Sequence, residues 1–479
     1  MISHQEIKNL VIEWGLREAI IEKDYVIGWL LWGLGSDSDL KNSWAFKGGT
    51  SLKKCYVETW RFSEDLDFTV LPDGPASPDV LEPIIKRVLD KVHDESGIDF
   101  SVAKPKFKYF DRHNSTQGSV YYRGPRNAPS ASRIKLDISG IEKVARPTVL
   151  RTISHSYSDT LPDSSQVRCY AFEEVFAEKL RAMGERGRPR DLYDIVLLSR
   201  RRDLQFAPGV IKTVLEDKCR SKNVPYPTLE SIQNAQSKAE LVSEWENMLG
   251  HQLQALPPFE GFWEEIPNIL NWLEGVAEPV RLASIGAGKD EDLTWAPPPT
   301  IWQWGVGVPL ESIRFAAVNH LCVELGYRKE SGEYTSPVIE PYSVRRTQEG
   351  NLVLRAVKAQ TGEPRSYRVD RIKNIKVSTK TFRPRYEIEF SVSGSIRSQP
   401  TTRKRKFDGY GSSGVLSKLS SRSRSVRRSP GSFGMKYIFQ CGLCGKKFTR
   451  SKYDSRLRKH KNTYGMNCSG RSGIFLGNK

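Results

Sequence analysis

Two periodicities share this chain. Over residues 1–276, stretches whose apolar residues recur every three or four positions predict helices, and they interleave with short stretches of strict alternation that predict strands. "LESIQNAQSKAELVSEWENML" and "FWEEIPNILNWLEGV" read as amphipathic helices, and "FEEVFAEKLRAMGERGRPRDLYDIVLL" reads as two helices divided at Gly187 and Pro189. In "DLDFTV", Leu66, Phe68 and Val70 alternate with Asp65, Asp67 and Thr69, so a strand buries the first set and turns both aspartates to the other face. "RIKLDISG" repeats this, with Ile134, Leu136 and Ile138 apolar and Asp137 on the polar side between Lys135 and Ser139. The segment reads as one α+β domain with a helical C-terminal part.

From residue 277 to 309 the composition shifts to Gly, Pro and Trp, with "WAPPPTIWQWGVGVP" as the clearest break, so a linker is expected there. Residues 310–395 predict a short helix running into a strand over Leu310–Tyr327, then β-rich alternation such as "NLVLRAV" and "YEIEFSV", which suggests a small barrel. Residues 396–434, including "SSRSRSVRRSPGS", hold too few large apolar side chains to build a core and are expected to be a disordered basic linker. Residues 435–479 form the last module.

Composition changes this picture in four ways. At 479 residues with 38% hydrophobic content the chain supports more than one packed core. It has no apolar run of the length a membrane helix needs, and Met1 to Leu16 carries charges where a signal peptide is apolar, so a soluble cytoplasmic protein with no membrane partner is expected. Cys55, Cys169, Cys219 and Cys322 stand singly, as buried thiols of a reducing compartment do. The net charge of +18 is displaced to one end: 21 Lys/Arg and two Asp/Glu follow residue 395, leaving the body near neutral. A basic tail on a neutral body points to nucleic acid as partner.

The two aspartates of "DLDFTV" lie two apart on one strand face, a spacing that grips hard divalent cations, and Asp137 offers a third carboxylate. Shortly before them, "KGGTSLKKCYV" places Gly48 and Gly49 to turn the backbone tightly, with Thr50 and Ser51 offering hydroxyls and N–H groups at a helix start, where phosphate is cradled. One element would hold phosphates and the other the metal bound to them. Lys179 falls on the apolar stripe set by Phe172, Val175 and Phe176, and Asp191 precedes Ile195 and Leu198 at the same spacings. A charge on a buried face needs a partner, so these two either neutralise each other or reach a site at the sheet, with Asp194 and Arg190 as weaker candidates. Asp191 also sits in a first helical turn after Pro189, where capping alone explains an acid.

"FKGGTSLKKCY", "RFSEDLDF", "KLDIS" and "EEVFAEKLRA...RPRDLYDI" together resemble the AbiEii/AbiGii-type nucleotidyltransferase toxins, of the DNA polymerase β-like nucleotidyltransferase fold. The resemblance spans roughly residues 15–275. It implies Mg²⁺- or Mn²⁺-dependent transfer of a nucleotide from an NTP to an acceptor, RNA such as tRNA first and DNA second. The implied setting is toxin–antitoxin control or phage defence by abortive infection, with a separately encoded antitoxin as partner. By position it assigns Gly49, Thr50 and Ser51 to the phosphate-holding turn, Asp65 and Asp67 to the metal pair, Lys179 to nucleotide contact and Asp191 to the later acidic motif. Asp137 as third ligand follows from the general fold, and the spacing from Thr50 to Asp65 is longer than in many nucleotidyltransferases.

"SPVIEPYSV...EGNLVLRAVKAQTGEPRSYRVDRIKNIKV" resembles a WYL domain, an Sm-like barrel, best over "RSYRVDRI", while Leu352 and Val353 replace the naming Trp and Tyr. Tyr342, Arg365, Arg368 and Arg371 are candidates for ligand or nucleic-acid sensing, with Glu363 and Asp370 as alternative partners for the arginines. Near the end, Cys441-x2-Cys444, fifteen residues, His460, seven residues and Cys468 give four ligands for a structural Zn²⁺, which would let a short segment fold with little core. This module resembles a C2H2-like finger with Cys in place of the last His. Lys446, Lys447, Arg450, Arg456, Arg458 and Lys459 surround the ligands and suit nucleic acid. Two functions follow from these expectations: a nucleotidyltransferase toxin, or a WYL and zinc-finger regulator that binds nucleic acid on a degenerate nucleotidyltransferase scaffold.

Overall fold

The computed structural model describes residues 1–56, 61–162, 164–200, 207–233, 235–278, 281–286, 290–292, 310–390, 437–441, 446–450, 457–458, 460–461, 467–468 and 473–478. The chain divides into two units, residues 1–402 and 403–479.

The first unit opens with α1 (His4–Trp14) and α2 (Glu18–Ser36), charged in its first two turns and apolar beyond them. β1 (Trp44–Lys47) runs straight into a single helical turn, α3 (Gly48–Ser51), which continues as a π-helical turn over Leu52–Tyr56. β2 (Asp65–Val70), α4 (Pro78–Ser96), β3 (Lys106–Phe110), β4 (Ser115–Tyr122), β5 (Ser132–Ser139), β6 (Val149–Thr152) and β7 (Gln166–Cys169) complete a seven-stranded mixed sheet in the order β3-β4-β5-β2-β1-β7-β6. Strand alternation works as the sequence implies: Leu66, Phe68, Ile134, Leu136 and Ile138 are buried together, and the aspartates take the opposite face.

A helical layer follows: α5 (Phe172–Arg186), α6 (Pro189–Ser199), α7 (Pro208–Lys222), α8 (Leu229–Ile232), α9 (Ala235–Leu249), α10 (Phe259–Trp263) and α11 (Ile266–Leu273). The division between α5 and α6 falls where Gly187 and Pro189 predict it, with Gly187 in the left-handed region at φ 51° and Pro189 opening α6. Each of the two stretches read as one amphipathic helix is instead two: α8 and α9 in the first, α10 and α11 in the second. Pro267 explains the second break, because it has no N–H to bond the Trp263 carbonyl and its ring crowds that carbonyl, while it is well placed in the first turn of α11.

α12 (Leu310–Val318) then leads to β8 (Leu321–Arg328), β9 (Tyr334–Thr335), β10 (Val338–Arg346), β11 (Leu352–Lys358), β12 (Pro364–Arg368) and β13 (Ile372–Thr381). The sheet order is β12-β11-β10-β8-β13 with β9 on β8; β12 and β13 end the path, so this antiparallel sheet curls into a half-barrel over α12. "YEIEFSV" is not a strand over its described residues 386–390. The backbone N–H groups there bond singly, Glu387 to Ala283 and Glu389 to Tyr342, which makes no ladder. α12 also ties the half-barrel to the preceding layer. Ser312 bonds the Glu13 carbonyl at 2.9 Å, Tyr193 bonds Asn319 at 2.9 Å, and Arg200 donates to the Val318 carbonyl at 2.7 Å. One apolar core runs through both parts.

In the second unit, β14 (Tyr437–Cys441), β15 (Lys447–Arg450) and β18 (Gly473–Asn478) form a sheet in the order β15-β14-β18, and β16 (His460–Lys461) pairs with β17 (Asn467–Cys468). The linker expected over 396–434 lies outside the described residues, as does most of that expected over 277–309.

Candidate active site

β2 and β5 run parallel in a register that sets Asp67 beside Asp137 and Asp65 beside Lys135. Neighbouring strands lie ~4.8 Å apart, and Asp65, Asp67 and Asp137 share the polar face of this strand pair. On the other side of β2, antiparallel β1 places Lys47 opposite Asp67. The Asp67 pKa is pushed up to about 6, by burial first and then by the charges of Asp137 and Asp65, against the lowering charges of Lys47 and Lys179. The pKa of Asp137 is also raised, by burial first and then by Asp65. Carboxylates held at this separation without enough cations of their own are the donor set that a hard divalent cation relieves.

The glycine turn is fitted to that set. Gly48 has φ +77°, which only glycine adopts without strain, and a Cβ there would stand 2.1 Å from Asp67 Oδ2. A Cβ on Gly49 would stand 2.6 Å from a guanidinium nitrogen of Arg61. Thr50 and Ser51 are buried and their hydroxyls are spent internally, Thr50 on the Asp65 carbonyl at 2.5 Å and Ser51 on the Gly48 carbonyl at 2.8 Å. The expected hydroxyl donors are therefore turned inward, Thr50 pinning the turn to β2 and Ser51 closing the turn on itself.

Lys179, Asp191 and Asp194 are all buried, in one chain of charges. Lys179 Nζ lies 2.6 Å from Asp194 and 3.5 Å from Asp191. Arg61 grips Asp194 with two donors at 2.9 and 2.8 Å, and Arg186 grips Asp191 at 2.9 and 3.1 Å. Burial raises the Asp194 pKa, but Arg61 and Lys179 outweigh it and hold this carboxyl below its ordinary range. Asp191 is thus a partner of Arg186 and Lys179, one step behind the strand carboxylates, while Lys179 also acts on Asp67. Arg190 bonds the Met248 carbonyl at 3.3 Å, and burial and Arg61 lower its pKa.

Three residues of this arrangement were not read from the sequence. Lys47 ion-pairs with Glu142, which also meets Lys222 at 3.3 Å. Burial raises the Glu142 pKa, yet Lys47, Lys222 and Lys218 bring it down to about 2. Arg61 is the third. Its signal was its place in "RFSEDLDF", four residues before Asp65; Lys47 directly precedes the glycine turn.

The remaining candidates lie elsewhere. On the half-barrel, Arg365 pairs with Glu363, Arg368 with Asp370 and Asn351, and Arg371 with Glu330, while the buried Tyr342 bonds Glu340 at 3.0 Å. In the second unit, the ligand atoms of Cys441, His460 and Cys468 lie within 4.8 Å of one another. The two sulfurs are 3.8 Å apart, the edge that ~2.3 Å Zn–S bonds make at the tetrahedral angle. His460 Nδ1 donates to the Arg458 carbonyl at 2.9 Å, the kind of second bond that orients a metal-ligating imidazole. His460 is on a strand paired directly with Cys468, and Lys446, Lys447 and Arg458 are exposed. Arg450 is on β15; Cys444, Arg456 and Lys459 lie outside the described residues.

A family model described as nucleotidyl transferase AbiEii toxin, type IV TA system, matches residues 29–271, just over half of the chain and the whole of the arrangement above. The chain belongs to the AbiEii family. It is by membership a toxin-type nucleotidyltransferase, and the WYL family model matches residues 309–377 behind it. Among solved structures the AbiEii chain is similar to the nucleotidyltransferase toxin MenT4 of Mycobacterium tuberculosis H37Rv, at 18% identity over 58% of this chain and 91% of that one, with a TM-score of 0.40. It is also similar to the proteasome accessory factor PafBC of Arthrobacter aurescens, at 14% identity over 56% of this chain, with a TM-score of 0.16; the chain spans 36% of that protein's length. No curated protein matches it. Among the described residues no helix is long and apolar enough to cross a membrane.

The raised Asp67 pKa has a signed consequence. The folded protein holds a proton on Asp67 between about pH 4 and 6 that the unfolded chain has already released, so the contribution of Asp67 to metal-free stability falls as pH rises through that window. Asp67→Asn is expected to remove that slope and, in EDTA near neutral pH, to raise stability by on the order of 2 kcal/mol. Urea unfolding of both proteins across pH 4–8 checks this; a variant less stable than wild type at neutral pH would contradict it.

Proposed function

We propose that this AbiEii chain is a divalent-metal-dependent nucleotidyltransferase that moves a nucleoside monophosphate from an NTP to an RNA end, tRNA first among acceptors, and that a separate antitoxin restrains it. The observation that carries the reading is the shared face of Asp65, Asp67 and Asp137, with Gly48 cleared for Asp67 Oδ2. These residues fit Mg²⁺ or Mn²⁺, which when bound neutralises triphosphate charge and lowers the pKa of the attacking hydroxyl. The N–H groups of the Gly48–Ser51 turn hold the phosphates, and Lys179 and Arg190 add positive charge from the helical layer. The acceptor oxygen attacks the α-phosphorus, the bond from that phosphorus to the bridging oxygen of the β-phosphate breaks, and pyrophosphate leaves. Asp137, on the strand beside the Asp65/Asp67 pair, takes the proton released by the acceptor hydroxyl.

The second unit is read as a zinc-stabilised nucleic-acid-binding module. Cys441, His460 and Cys468 supply three ligands and Cys444 the fourth, with Lys446, Lys447 and Arg458 exposed around them.

Incubation of the full-length protein with α-labelled NTPs, Mg²⁺ and total tRNA is expected to label RNA. Asp65→Asn/Asp67→Asn should cut that label more than ~100-fold. Folded wild type that labels neither RNA nor itself would instead support the nucleic-acid-binding regulator. Elemental analysis of the purified protein should find about one zinc per chain, lost in Cys468→Ser; zinc content unchanged in that variant would exclude Cys468 as a ligand.

A further inference from the structure

The face that carries Asp137 does not stop at β5. Antiparallel pairing sets Gln117, Ser119 and Tyr121 of β4 opposite Asp137, Lys135 and Arg133, and then Lys108 and Lys106 of β3 opposite Gln117 and Ser119. Lys106, Lys108, Arg133 and Lys135 are exposed, and Asp137 is the one acid at the register positions of this face. Phe107, Val120, Tyr122, Ile134 and Leu136 take the other face, against the core. Aromatic rings interleave with the charges: Lys106 Nζ stands 6.0 Å from the Tyr121 ring centre and Lys108 Nζ 4.9 Å from that of Phe110. The result is an exposed three-stranded surface with four cations and two half-buried aromatic rings, leading to the carboxylates at one side.

We propose that this strand face is the platform on which the single-stranded 3′ end of an acceptor RNA lies as it enters the site. The inference rests on the transfer reading of Asp137 and names the partner of that same site. Charge complementarity selects a polyanion, because four Lys/Arg face solvent on these three strands and the only acids beside them, Asp137 on β5 and Asp65 across the register from Lys135, lie at the edge toward the site. The rings select a single strand, since stacking on Tyr121 and Phe110 needs unpaired bases. Ser119, set between the basic rows, and Gln117 offer hydrogen-bonding groups for a 2′-hydroxyl, the feature that separates RNA from DNA. Two strand spacings carry Lys108 roughly 10 Å from Asp137, the length of about three stacked nucleotides.

The test uses the full-length protein without NTP and a short single-stranded RNA carrying a photoactivatable thiouridine near a free 3′ hydroxyl. Crosslinks are expected in the peptides that span residues 106–139. Lys106→Ala/Lys108→Ala/Lys135→Ala should lose them and lower the slope of log affinity against log salt by about 2, the counterion release of three phosphate contacts, while the Lys→Arg triple keeps the slope. Tyr121→Leu should lose the crosslink with the slope retained. Far-UV circular dichroism verifies that each variant is folded. Crosslinks confined to residues 396–479, or an unchanged slope in the folded Ala triple, would overturn the platform, and equal crosslinking by the matching DNA would overturn its assignment to RNA. Because binding is read without chemistry, the two readings separate. Crosslinks on the platform with no label transfer leave the platform standing and remove the transfer reading; transfer with crosslinks elsewhere does the reverse.

Discussion

Like-charge repulsion among Asp65, Asp67 and Asp137 is the constraint around which this domain is arranged. Three carboxylates on adjacent positions of two parallel strands destabilise one another, and partial burial makes the repulsion worse. The fold answers with placed cations and with space: Lys47 opposite Asp67 on β1, Lys179 reaching toward it from α5, and a glycine where any side chain would collide with Asp67 Oδ2. Asp67 and Asp137 both keep raised pKa values, by burial first and by their neighbouring carboxylates second. A site left short of positive charge is one that binds it.

The same constraint explains the charges under the helical layer. Arg61, Asp194, Lys179, Asp191 and Arg186 alternate in sign along one buried chain, so each carboxylate is satisfied by two cations and Lys179 is fixed in position between two carboxylates. Buried pairs of this kind add little net stability, but breaking one leaves an uncompensated charge at a cost of roughly 3–5 kcal/mol. Their effect here is orientation. They fix α5 and α6 against the loop before β2, and with them the face that Lys179 presents to the sheet.

Much of this was legible because strand alternation has a period of two and helix burial a period near 3.6. Those periods placed Asp65, Asp67 and Asp137 on polar faces and marked Lys179 and Asp191 as buried charges, and all five are where the periods put them. Which strand lies beside which is not periodic. The parallel pairing of Asp67 with Asp137, and the alignment of Lys106, Lys108, Arg133 and Lys135 into one basic face, depend on register across residues far apart in the chain. Arg61, Lys47 and Glu142 escaped notice because each sits at an element end or in a loop, where no pattern flags burial. The hydroxyls of Thr50 and Ser51 were read as outward donors because a glycine turn before a helix looks alike whether its side chains face in or out. In the last module, Cys441, His460 and Cys468 were legible from spacing, and a strand pair brings His460 to Cys468.

Whether the strand carboxylates act as one metal centre is open to a direct binding measurement. Titration of Mn²⁺ into the full-length protein with bound nucleotide, followed by electron paramagnetic resonance, should show that Asp137→Asn weakens binding by at least ~10-fold relative to wild type. Equal affinity in a folded Asp137→Asn protein would mean that the face shared by β2 and β5 is not the site that holds the metal.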